Sequence, residues 1–219
     1  MPPKATALYL KIARSVTEAS EDDLRRLKKL QEKEIKEGKF HPIGELLVSE
    51  GVITKDQHFT ILVQHAFTNC KQDDRLFGEW LVKEGHTTPE IVDASIKKTN
   101  QALARGQKKI PRLATLLLQE EKVDSEVVKS MSQNVLQPLH GMTRYFERFV
   151  EPDESDDVTI GRIAYQNQLL AREKLWESLL AYSKAGEEEG FFEFLIGSDR
   201  LTEYEEAMIL GFKTSFAPA

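Results

Sequence analysis

Six basic residues, Lys97, Lys98, Arg105, Lys108, Lys109 and Arg112, fall within sixteen consecutive positions that contain no acid. In a chain of net charge −6, such a stretch sets up a local positive field. Its guanidinium groups could grip an anion bidentately, and Arg112 precedes an apolar helical segment whose first backbone N–H groups would add to the attraction. A phosphate-bearing ligand or the acidic face of a partner fits that chemistry. A solvated connection between helices is the plainer reading. Nucleic acid is disfavoured, because no aromatic residues interleave the basic ones and the net charge opposes it.

Other reactive residue types have less to work with. His58 and His65 lie seven apart on one predicted helix, with His41 upstream, but a metal would need further ligands at tighter spacing. They are expected to be surface or partly buried histidines, and no metal is expected. Asp153, Ser155 and Asp157 alternate as calcium ligands do, yet Val158 replaces the turn glycine of that loop and Ala164 its bidentate glutamate. The segment reads as a solvated linker. There is no G-x-x-x-x-G-K-[ST], G-x-S-x-G, H-E-x-x-H or C-x-x-C pattern, so neither a catalytic residue nor a cofactor is expected and the chain reads as a non-enzyme. The single cysteine, Cys70, excludes an internal disulfide and reads as a small apolar side chain late in a helix. No apolar run approaches the roughly 18 residues of a membrane span. The segment Met1 to Ala5 lacks the apolar core of a secretory signal, so a cytoplasmic setting is expected.

The elements that would position these residues are announced by a repeated phrase. Ile43-Gly44-Glu45-Leu46-Leu47-Val48-Ser49-Glu50-Gly51-Val52-Ile53-Thr54 returns as Phe77-Gly78-Glu79-Trp80-Leu81-Val82-Lys83-Glu84-Gly85-His86-Thr87-Thr88. In each copy a short apolar helix meets a glycine where a left-handed residue is needed to stop it, Gly51 and then Gly85. A threonine then caps a longer helix. Thr54 has Gln57 three residues on, which is a capping box, and Thr88 is followed by Pro89 at the first helical position. Weaker copies begin at Arg112-Leu113, at Ile160-Gly161 and at Phe191-Phe192, the last with Thr202 and Glu205 as a second capping box. A sixth copy is suggested by Leu10, Ala13 and Val16 before Ser20 and the charged helix Glu21 to Lys36.

The fold expected is therefore all-α: tandem helix-turn-helix repeats, about five to six units, in two packed helical lobes. Residues 151–219 carry a balance of −9 against +3 for the rest, and the change falls at Glu151-Pro152-Asp153-Glu154-Ser155-Asp156-Asp157. That places an N-terminal repeat domain at 1–150, an acidic linker at 151–157 and a smaller C-terminal lobe at 158–219. Phe191, Phe192, Phe194, Phe212 and Phe216 are candidates for core or for a partner surface.

The first phrase, Ile43-Gly44-Glu45-Leu46-Leu47-Val48-x-x-Gly51-x-Ile53-Thr54, resembles the N-terminal (MshEN-type) domain of type II secretion and type IV pilus assembly ATPases, here without the ATPase. The resemblance implies a bacterial origin and a helical module. In some members of that family tandem motifs of the form R-L-G-x-x-L-x-x-x-G bind cyclic di-GMP. Gly44, Leu47, Gly51 and Leu62 keep the motif, as do Gly78, Leu81, Gly85 and Ile96. The motif arginine is replaced by Pro42 in the first copy and by Leu76 in the second, with Arg75 one residue early, while the third keeps Arg112-Leu113. Two functions follow. One is a non-catalytic adaptor or regulatory protein that binds a protein partner in a secretion, pilus, motility or signalling assembly. The alternative is a cyclic di-GMP sensor using Arg75, Arg105 or Arg112. Gly44, Gly51, Thr54, Gly78, Gly85, Thr88 and Gly161 are expected to be structural turn and contact residues.

Overall fold

The structure, a computed structural model, describes residues 4–37, 41–105, 110–144, 155–166, 169–186 and 189–216. Every regular element among them is helical, so the all-α class stands. In chain order these are α1 (Lys4–Val16), α2 (Glu21–Lys36), α3 (Ile43–Ser49), α4 (Lys55–Lys83), α5 (Pro89–Ala104), α6 (Leu113–Gln119) and α7 (Ser125–Met131). A π-turn at Ser132–Leu136 joins α7 to α8 (Gln137–Thr143), and α9 (Asp156–Gln166), α10 (Arg172–Ala185), α11 (Phe191–Gly197) and α12 (Glu203–Phe216) follow.

One turn recurs along the chain. After α3, the N–H of Gly51 donates to Val48 O (3.1 Å) and that of Val52 to Leu47 O (2.9 Å). This is the paired bonding of a Schellman motif, which satisfies carbonyls that the helix end leaves open. Gly85 and His86 repeat it on Val82 and Leu81, Glu121 and Lys122 on Leu118 and Leu117, and Asp199 and Arg200 on Ile196 and Leu195. After α9, Leu169 donates to Ala164 O in the equivalent bond. The residue that turns the chain has φ +69° at Gly51 and +76° at Gly85, but it is a non-glycine at φ 52° in Glu121 and Asp199. At α1 the chain turns differently: the Thr17 hydroxyl donates to Ala13 O (2.8 Å) and accepts from Ala19 N (3.2 Å).

Burial follows the same frame. The carbonyl that accepts from the N–H five residues on belongs to Leu47, Leu81, Leu117, Ala164 or Leu195, and each of these is fully buried. So are, or nearly so, the residues four positions earlier: Ile43, Phe77, Leu113, Ile160 and Phe191. One helical turn separates the two positions, so a single stripe of each short helix faces inward. The helices that follow start as their caps dictate. Thr54 and Gln57 form the expected reciprocal box (2.8 and 3.2 Å), and Thr202 and Glu205 form the second (2.8 and 3.3 Å). Ser20 caps α2 by accepting from Asp23 N at 3.1 Å. Thr88 sits at the N-cap of α5 without a side-chain cap bond, and Pro89 opens the helix.

Two compact units emerge, with bounds other than those of the expected lobes. Unit 1 comprises Met1–Asn69 and Pro138–Ala219, and unit 2 comprises Cys70–Gln137. In unit 1, α9 packs against α1, α10, α11 and α12, while α3 packs against α1 and α2. The change of charge near 151–157 does not coincide with the division between these units. Residues 151–154 lie outside the described residues, and Asp156 and Asp157 belong to α9. Asp157 Oδ1 accepts from Phe191 N (3.1 Å), so this acid caps the start of α11. The helix Glu21–Lys36 packs on α3, with Leu24, Leu27 and Gln31 buried. In unit 2, α5 packs on α6 and α6 on α7.

The second helix of the first phrase and the short helix of the second are one uninterrupted helix, α4. Between Gln64 and Leu76 the sequence has neither glycine nor proline, so nothing stops the helix there.

Candidate functional site

The three arginines proposed to bind an anion occupy unlike settings. Arg112, at the N-cap of α6, points its guanidinium at Asp74 of α4. Its Nε lies 3.0 Å from both carboxylate oxygens, one Nη lies 2.9 Å from Oδ1, and the same nitrogen donates to Cys70 O at 3.0 Å. Burial acts to lower the basicity of Arg112. The hydrogen bonds and charge of Asp74 outweigh it, with Asp73 adding, and the guanidinium is held above its ordinary range. Arg75 is exposed and pairs with Glu79 at 3.1 Å along α4. Arg105 is exposed at the C-cap of α5 and has no ion-pair partner among the described residues. Lys108 and Lys109 lie outside the described residues. Two of the three arginines are therefore paired with carboxylates of the chain.

The glycines named from the sequence divide by role. A side chain at Gly51 or Gly85 would meet nothing within 4 Å, so these two serve the left-handed turn alone. Gly44, Gly78 and Gly161 instead permit close packing. A Cβ on Gly78 would lie 2.5 Å from Val92 Cγ1 and 3.2 Å from Leu113 Cδ2. One on Gly44 would collide with the His58 ring, and one on Gly161 with the Met142 thioether. Gly44 and His58, and Gly78 and Val92, stand at the same separation of fourteen residues, so in each phrase a glycine admits a side chain of the helix that follows.

His58 and His65 are buried, at 7% and 1% exposure, and not on the surface or partly buried as expected. His58 Nδ1 shares a 2.5 Å hydrogen bond with the Tyr9 hydroxyl, and the two rings lie 5.6 Å apart. His65 sits beside Asn69, whose amide donates to Thr143 O at 2.8 Å, while Arg172 donates to Asn69 O at 3.2 Å. This ties α4, α8 and α10 of unit 1 together through polar groups that sequence reasoning missed. Arg162 (0% exposed) and Arg172 (3%) were missed as well, because nothing in a single sequence separates a buried arginine from a solvated one. Among the described residues no group of histidine, cysteine, aspartate or glutamate could hold a metal ion.

A groove that the sequence did not announce runs beside the first repeat. It measures about 450 Å³ and is lined by Glu45, Val48 and Ser49 of α3 and by Lys55, His58, Phe59 and Leu62 of α4. Phe59 is 68% exposed, and Val63, one turn further along α4, is 52% exposed. The turn at Gly51 and the box at Thr54 set the angle at which α3 and α4 leave the groove between them, and the Gly44–His58 contact fixes how closely they approach. Phe191 and Phe192 are core (1% and 8%), and Phe194 is half-buried against Tyr182 with ring centroids 5.4 Å apart. The side chains of Phe212 and Phe216 lie outside the described residues. Among the described side chains of unit 1, the large apolar ones most exposed are Tyr204 and Phe59.

No described helix is long and apolar enough to cross a membrane. No protein-family model, no curated protein and no solved structure matches the chain.

Proposed function

We propose that this chain is a non-catalytic adaptor or regulatory protein that docks a protein partner on the α3–α4 groove of unit 1. The observation that carries the reading is Phe59, 68% exposed beside a groove of about 450 Å³. With Val63 at i+4 it forms an apolar ridge on one helix face. Burying one such phenylalanine against a partner contributes about 2 kcal/mol. Large aromatic side chains beside a pocket are the usual centres of binding energy in interfaces. Glu45 and Lys55 supply one charge of each sign to orient the incoming segment. Placement in a bacterial secretion, pilus, motility or signalling assembly rests on the resemblance of the repeated phrase.

The test is partner capture with the wild-type chain, with Phe59→Glu, and with Leu118→Glu as a control at an exposed leucine of unit 2. Proteins retained by the wild type and the control but lost with Phe59→Glu support the reading. An identical set from all three contradicts it. In the cyclic di-GMP alternative, use of Arg112 would mean exchanging Asp74 for a phosphate, and the bidentate pair weighs against that exchange. Calorimetric titration of the wild type and of Arg112→Ala with cyclic di-GMP tests it directly.

A further inference from the structure

We propose that a second groove of unit 1, between α1 and α2, docks an acidic amphipathic peptide segment of a protein partner. The site is distinct from the α3–α4 groove. It measures about 250 Å³. Lys11 and Arg14 enter it from α1, three residues apart, and Arg25 and Lys28 enter it from α2 at the same spacing. Residues three apart share a helix face, so each wall presents a pair of cations. Leu10 and Leu24 supply the apolar surface between them, with Leu24 buried and Leu10 half-buried.

The one acid in the groove organises these cations without neutralising them. Glu21 accepts from Arg25 at 2.7 Å through one oxygen and pairs with Arg14 at 3.1 Å through the other. A single carboxylate therefore fixes the spacing of arginines from two helices. Lys11 and Lys28 have no ion-pair partner among the described residues. Four cations around one anion leave three positive charges unmatched, in a chain whose net charge is −6.

That combination selects the occupant. Carboxylates answer the unmatched cations, and apolar side chains between them answer Leu10 and Leu24. An amphipathic acidic helix carries both at helical spacing. No aromatic side chain lines the groove to stack a base, and a phosphate backbone offers nothing apolar to Leu10 and Leu24, so a nucleic acid satisfies fewer of the features. The cations are mostly exposed, so the attraction falls with salt.

The experiment is fluorescence anisotropy on the full chain with a labelled synthetic peptide. In it leucine recurs at i, i+3, i+4 and i+7 and glutamate fills the other positions. The expected result is saturable binding that weakens at least tenfold in Lys11→Glu/Lys28→Glu and by a smaller factor in Lys11→Gln/Lys28→Gln. Binding should also weaken when the peptide's leucines become serine, and it should be unchanged by Phe59→Glu. Circular dichroism melts of the lysine variants, both at positions without an ion-pair partner among the described residues, check that they fold. Absence of binding overturns the proposal, as does equal binding by the lysine variants or by the serine peptide. Tighter competition by oligothymidylate overturns it in favour of a nucleic acid. Binding lost with Phe59→Glu but kept by the lysine variants also overturns it and assigns the peptide to the α3–α4 groove, so the two readings fail separately.

Discussion

Asp74 holds Arg112 with both carboxylate oxygens 3.0 Å from one guanidinium nitrogen, across 38 positions of sequence. The pair joins the N-cap of α6 to α4 within unit 2, and Arg112 adds a bond to Cys70 O. Arg112, one of the arginines expected to bind an anion, is thus held by groups of the chain itself. Replacing Asp74 with alanine strands a partly buried guanidinium. The Arg112 side chain keeps 37% exposure, so solvent screens the loss, and a destabilisation of about 1–2 kcal/mol is expected rather than the larger cost of a fully buried pair. Urea denaturation of Asp74→Ala against wild type measures it; an unchanged midpoint would show that the clamp contributes nothing.

The recurring turn makes a prediction of opposite sign at different copies. Gly51→Ala and Gly85→Ala place a Cβ in the left-handed region with nothing nearby to clash, so each should cost about 1 kcal/mol through the backbone alone. Glu121→Gly and Asp199→Gly release residues held at φ 52° and should be neutral to stabilising by up to about 1 kcal/mol. Denaturation midpoints of the four variants check the set. Destabilisation by all four would refute the assignment of one shared turn.

Gly78 meets Val92 where α4 crosses α5. Gly78→Ala would bring its methyl carbon to 2.5 Å from Val92 Cγ1, an overpacking expected to cost about 1–3 kcal/mol. Val92→Ala should be destabilising alone and should recover part of the loss when combined with Gly78→Ala. A double-mutant cycle in which the two effects simply add would place the clash elsewhere.

Much of this architecture could be read in the sequence because it depends on local chemistry. The Thr54–Gln57 and Thr202–Glu205 boxes, the turns at Gly51 and Gly85 and the start of α5 at Pro89 are each settled within a few residues. Glu121 and Asp199 were harder, since a left-handed non-glycine costs energy that only the surrounding packing can supply. The continuity of α4 was hidden by the repeat itself, which suggested a break between copies that no residue enforces. The burial of His58 follows from contacts with Gly44 and Tyr9, and the commitment of Arg112 from an aspartate 38 positions earlier; both are long-range and carry no local signature. The acidic segment at 151–157 marked a change of charge, whereas the units are defined by which helices share apolar faces.

The α3–α4 groove is the centre of this account, and Val63 flanks it without lining it. The most direct measurement places a photo-crosslinking residue at position 63 and, separately, at position 118 of the full chain expressed in cells. Position 63 is expected to give a discrete protein adduct that disappears with Phe59→Glu, and position 118 none of the same mass. No adduct at 63, or the same adduct from both positions, would contradict a partner seated on Phe59.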